Sequence, residues 1–121
     1  VDGTDRAYRF AKKHKAKLAW GTDFLFDPRQ NTKQASEILK LRAWFTPGEI
    51  LKMVTYDNAQ LLALSGPRTP YLGKVGVIEP GALADLLLID GDPIANLDLI
   101  GDPENNFKII MKDGRIYKNK I

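Results

Sequence analysis

The chain has 121 residues, with 18 basic and 15 acidic side chains, a formal net charge of +3, one histidine and no cysteine. That is the size and composition of an ordinary globular domain; it excludes disulfides and thiolate metal sites, and no run of about 18 apolar residues marks a membrane-spanning helix. The basic excess gathers in Lys12-Lys13-His14-Lys15-Ala16-Lys17 and at the end of the chain, without the dense basic face and stacking aromatics of a nucleic-acid surface.

Asp2 or Thr4 can cap a first helix that carries Ala7, Phe10 and Ala11 at helical spacing and runs into lysines, which suit a helix carboxyl end. A strand over 17–22 is predicted next, its apolar Leu18-Ala19-Trp20 leading into Gly21-Thr22-Asp23. A carboxylate at the carboxyl end of a buried strand can bind a metal or move a proton, and the same residue type also caps turns; the pattern alone leaves both roles open. Phe24 to Asn31 reads as a loop from its Pro28 and Asn31, with Phe24, Asp27 and Arg29 as candidates for lining a substrate mouth. A helix from Thr32 places Ala35, Ile38, Leu39 and Arg42 along one side. Thr46-Pro47-Gly48-Glu49 is a helix start with the residues of a capping box. Thr55-Tyr56-Asp57-Asn58 predicts the beginning of another helix, which turns Ala59, Leu61, Leu62 and Leu64 inward until Ser65-Gly66-Pro67 stops it.

Beyond Pro67 the apolar segments shorten to strand length and glycine and proline become frequent, which predicts an α/β part over 1–66 and a β part over 67–121. Gly73-Lys74-Val75-Gly76 lacks the spacing of a phosphate loop and reads as a turn entering a strand. Asp85 is expected to serve the turn after Pro80-Gly81. Leu86-Leu87-Leu88-Ile89 is apolar on both faces and so needs cover on both sides. The segments 107–112 and 115–118 flank Asp113-Gly114, a dipeptide suited to a two-residue hairpin turn. Roughly four strands cannot cover a doubly apolar strand, and a single strand with helices is not a sheet. Both parts therefore call for complementary strands from upstream sequence or another chain.

Gly21-Thr22-Asp23 after a strand, Thr46-Pro47 through Glu49, Thr55 with Asn58-Ala59, Gly73 to Gly76 before Val77-Ile78-Glu79-Pro80-Gly81, Ala84-Asp85-Leu86, Asp90-Gly91-Asp92-Pro93 and Met111-Lys112-Asp113-Gly114-Arg115 occur in that order. In this the chain resembles the carboxyl-terminal third of metal-dependent amidohydrolases, of the imidazolonepropionase-like and Xaa-Pro dipeptidase-like branch. The resemblance spans nearly the whole chain.

It implies an α/β fold: the last strand and helices of a (β/α)8 barrel of the TIM type, followed by part of a small composite β-sandwich. Leu18 to Thr22 would be the last barrel strand, and Asp23 would match both the family's aspartate metal ligand and its proton shuttle, at the strand end where such barrels keep their chemistry. The implied activity is hydrolysis of a carbon–nitrogen bond in an amide, dipeptide or cyclic amide by a metal-activated hydroxide. A deaminase on the same barrel and a non-catalytic assembly subunit are the alternatives. The implied cofactor is a divalent metal, zinc by default, as one or two ions whose other ligands lie outside this chain. His14 belongs with the lysines of a helix end and reads as a surface histidine. The 121 residues alone are therefore expected to be inactive, their partners being a small-molecule substrate and the amino-terminal part of the same protein, with a homo-oligomer left open. No nucleic acid or membrane partner is expected, and a cytoplasmic location is.

Overall fold

The structure, a computed structural model, describes residues 2–121; Val1 lies outside them. Helix α1 (Asp2–Lys13) opens the chain with acidic residues in its first turn and lysines in its last, as the helix dipole favours. Its inward side differs from the predicted one. Phe10 is 66% exposed and stacks on His14, whereas Tyr8 packs against Trp44 and Phe45, and Asp5 accepts the Trp44 indole N–H at 2.6 Å. Aromatic contact at Tyr8, which the pattern did not single out, decides which face turns in.

Residues 17–22 are extended but form no strand, which corrects the sequence expectation. Their burial still alternates: Leu18, Trp20 and Thr22 are half-buried, while Ala19, Gly21 and Asp23 are exposed. A strand is defined by its hydrogen-bonded neighbours. Here the neighbouring position is taken by a side chain, described below.

Residues 28–63 are almost wholly helical. A 3₁₀ turn (Pro28–Lys33) leads into α2 (Gln34–Ile38), a second 3₁₀ turn (Leu39–Ala43), and then α3 (Pro47–Lys52). Helix α3 starts with the expected capping box: Thr46 Oγ1 accepts the Glu49 N–H at 3.4 Å, and the Glu49 carboxylate accepts the Thr46 N–H at 2.8 Å. That backbone bond from Thr46 is the main reason the Glu49 carboxyl sits below the ordinary glutamate value, with Lys12 adding to it. A folded value below the unfolded one means that the stabilisation is complete above about pH 4.3 and is lost as pH falls through the folded value. Glu49→Gln is expected to flatten the acid limb of stability, and Thr46→Ala to lower stability at neutral pH by about 1 kcal/mol. Urea unfolding followed across that acid range checks both.

No new helix begins at Thr55. A π-helical segment (Met53–Asp57) joins α3 to α4 (Asn58–Ala63) without a break, and Thr55 Oγ1 bonds back to the Leu51 carbonyl at 2.7 Å instead of capping forward. Gly76 packs against this wider turn with φ +78°, and a Cβ there would lie 2.7 Å from Ala59 Cβ and 2.8 Å from the Thr55 carbonyl oxygen. Gly81 has a similar φ of +86° with open space around it. Gly76→Ala is therefore expected to destabilise well beyond Gly81→Ala, which carries only the left-handed backbone penalty of about 1–2 kcal/mol. Paired urea midpoints would show the difference.

The later part is a three-stranded antiparallel sheet in the order β1 (Leu86–Ile89), β2 (Phe107–Lys112), β3 (Arg115–Asn119). Two short helices, α5 (Asp98–Gly101) and α6 (Pro103–Asn106), precede β2. Leu87 pairs with Ile110 and Leu88 with Ile109 before a bulge at Leu88/Ile89. The Asp113-Gly114 turn has φ of 47° and 75°, as a hairpin of this kind requires. Asp85 serves this turn and not the Pro80-Gly81 one: its carboxylate accepts the Asp113 N–H at 2.7 Å. Among the described residues, the stretch from 73 to 83 makes only an isolated bridge between Lys74 and Ala82, so the fourth strand does not form. The expected cover of β1 on both faces is not supplied by the described residues, since Leu87 is 53% and Leu88 49% exposed.

The core joins both parts of the chain. Leu41, Phe45, Ile50 and Met53 from the helical stretch meet Leu97, Ile100 and Phe107, with Leu18 and Trp20 packed against the cluster. The extended segment that leads to Asp23 is thus anchored through alternate residues.

Candidate functional site

Asp23 is exposed and has φ +57°, in the left-handed region that aspartate and asparagine tolerate better than other side chains. The chain turns at once beyond it: the Leu25 N–H donates to the Asp23 carbonyl at 2.9 Å, a three-residue turn about Phe24. Segment 17–22 and this turn together present the exposed carboxylate at the end of an arm whose Trp20 packs on the core.

What holds the arm is Asn58. Its Oδ1 accepts the Trp20 N–H at 2.8 Å and its Nδ2 donates to the Trp20 carbonyl at 2.9 Å. One carboxamide thereby makes both bonds that a neighbouring strand residue would make in a hydrogen-bonded antiparallel pair. The sequence marks Asn58 only as part of a motif. The physical signal is a carboxamide at an inward position of an apolar helical run, where a polar side chain needs a partner.

Beside the arm lies an open groove of about 840 Å³, lined among others by Trp20, Thr22, Val54 and Asn58 and by Leu87 and Phe107 of the sheet. Asp23 does not line it. The three candidate mouth residues divide. Asp27 and Arg29 engage each other, with Arg29 Nε 2.9 Å and Nη2 3.1 Å from the Asp27 carboxylate, and Asp27 also accepts the Arg29 backbone N–H at 3.1 Å. This pairing caps the 3₁₀ turn and, through the Arg29 side-chain bond first, holds the Asp27 carboxyl below its ordinary value. Phe24 is half-buried, and the flanking Leu25 and Phe26 are 74% and 95% exposed.

A catalytic metal is typically held by three protein ligands. Among the described residues no three His, Cys, Asp or Glu side chains come together, so these residues do not by themselves fit a metal ion. His14 stands at the end of α1 beside Phe10. No helix among the described residues is long and apolar enough to cross a membrane.

Residues 3–117 match the model of the Amidohydrolase family. The chain belongs to the amidohydrolase family. Structural likeness agrees: the crystal structure of an amidohydrolase is 28% identical with a TM-score of 0.79, over 96% of this chain and 26% of that one. A prolidase crystallised with N-methylphosphonate-L-proline is 22% identical with a TM-score of 0.77, over 95% of this chain and 26% of its own. An A. niger ochratoxinase, 23% identical with a TM-score of 0.76, is matched over 94% of this chain and 24% of its own. The last two likenesses show the fold alone. No curated protein sequence matches the chain. This amidohydrolase chain spans about a quarter of the length of the solved structures it matches.

Proposed function

We propose that these residues are the carboxyl-terminal part of a hydrolase acting on carbon–nitrogen bonds of small amides, dipeptides or cyclic amides, with Asp23 in its active site. The observation that carries this reading is the arm: an extended segment of an amidohydrolase, buried on alternate residues, that ends by presenting an exposed carboxylate. In the whole protein, residues 17–22 would pair with further strands as the last strand of a (β/α)8 barrel, and 67–121 would contribute to a composite β-sandwich. The half-exposed Leu87 and Leu88 support that second assignment, because apolar strand positions of this kind pack against another layer.

Asp23 has the chemistry for amide hydrolysis. As water attacks the carbonyl carbon, the carboxylate takes the water proton; as the carbon–nitrogen bond breaks, it returns that proton to the leaving nitrogen. A divalent metal, zinc by default and as one or two ions, would lower the pKa of bound water and draw its remaining ligands from outside these residues. The 121 residues alone would therefore be inactive.

The test uses the complete protein on Ala-Pro, Ala-Phe, N-acetyl-L-proline, the cyclic amide 5-oxo-L-proline and the amino-substituted ring cytosine, with separate readouts for new amine and for ammonia. Amine release that is lost on chelation and restored by zinc is the expected result. Ammonia released from an amino-substituted ring would replace the reading with a deaminase, and a metal-free protein that turns over nothing would replace it with an assembly subunit.

A further inference from the structure

We infer that Asn58 is the positioning residue of the Asp23 arm, its carboxamide acting as a one-residue strand neighbour that fixes which face of segment 17–22 carries the carboxylate. The inference rests on the proposed role of Asp23. Burial alternates along the segment, with Leu18, Trp20 and Thr22 half-buried and Ala19, Gly21 and Asp23 exposed, so the carboxylate lies on the solvent side of the arm. A slip or half-turn of the segment about its own axis would exchange those faces and bury the carboxylate's position. Packing of Trp20 against the core resists this on one side. The paired bonds from Asn58, 2.8 Å to the Trp20 N–H and 2.9 Å to its carbonyl, fix the two peptide planes that flank Trp20.

The donor and acceptor requirements are specific. A carboxylate can accept from the N–H but has nothing to give the carbonyl, and an alanine does neither. The helix is shaped to deliver this side chain. The Asn58 N–H bonds to the Met53 carbonyl across the wide turn of the π segment, which inserts an extra residue into the helical repeat and rotates the following face. The same turn is where Gly76 approaches the Thr55 carbonyl, so the loop entering the β part braces the segment that aims Asn58.

The experiment compares Asn58→Ala, Asn58→Asp and Asp23→Asn in the complete protein, using as probe the compound of the panel above that the wild type hydrolyses fastest. Asn58→Ala is expected to lower kcat by about 100-fold with KM within about threefold, the consequence of a misplaced reacting group. Hydrogen exchange at the Trp20 amide is expected to be about tenfold faster in the same variant, with exchange elsewhere unchanged. Asn58→Asp keeps the acceptor and loses the donor, so an intermediate kcat is expected; it also carries the test if Asn58→Ala does not fold. Gly81→Ala, which strains a turn with open space around it, is expected to lose stability and keep kcat, which separates positioning from general loosening. A wild-type kcat in folded Asn58→Ala, or in Asn58→Asp where Ala does not fold, overturns the inference while leaving Asp23 in place. A wild-type kcat in Asp23→Asn, or no hydrolysis of any panel compound by the wild type, removes the function reading and the inference with it.

Discussion

Asp23→Asn in the complete protein is expected to lower kcat by about 10²–10⁴-fold, the range a positioned proton-transfer group contributes, while leaving the fold intact. The substitution suits this position for a backbone reason. Asp23 has φ +57°, and asparagine is the other common side chain that accepts the left-handed region. Asn therefore removes the charge and the proton-carrying capacity at nearly constant shape, whereas Asp23→Ala would add backbone strain to the chemical loss. Because the side chain is exposed, no buried partner is left unsatisfied. Turnover of the panel compound together with a thermal midpoint would check the two halves of the statement. A variant with near wild-type turnover would take Asp23 out of the mechanism.

The elements legible in the sequence are those whose cause is local. The capping box at Thr46 and Glu49 and the positive-φ turn at Asp113-Gly114 form where the residue types require them, since each is decided within four residues. Segment 17–22 shows the opposite case. Its short apolar run is readable and packs on the core, but a strand also needs a neighbour, and no local pattern could show that Asn58 stands there. The π segment is hidden for a related reason. Thr55 has the residue type of a helix cap, yet its hydroxyl bonds backward to Leu51, an option that threonine always has and that tertiary packing decides. Asp85 serves a turn 28 residues away, which sequence proximity to Pro80-Gly81 could not reveal. For the site, the candidate carboxylate came from motif order, whereas the carboxamide that holds its arm required coordinates.

Ile50→Ala is expected to cost about 2–5 kcal/mol of stability. Ile50 is the one fully buried large side chain among the described residues, at 0% exposure, and it lies in the first turn after the Thr46 cap. Its position explains why the loss should be felt so widely. The cluster it belongs to holds Leu41, Phe45 and Met53 from the helical stretch against Leu97, Ile100 and Phe107, so a cavity there loosens the contact between the two parts of the chain. The range is wide because the cost grows with the cavity that remains after neighbours relax. Flexible Met53 can fill part of the gap, which favours the lower half of the range. Ile50→Val, which removes one methylene, is expected to cost only about 0.5–1.5 kcal/mol. Urea unfolding of both variants would check the ordering, and equal losses would mean that the site fails through changed shape and not through the volume removed. Because Trp20 packs on the same cluster, Ile50→Ala is also expected to speed exchange at the Trp20 amide, linking the stability of the core to the arm that carries Asp23.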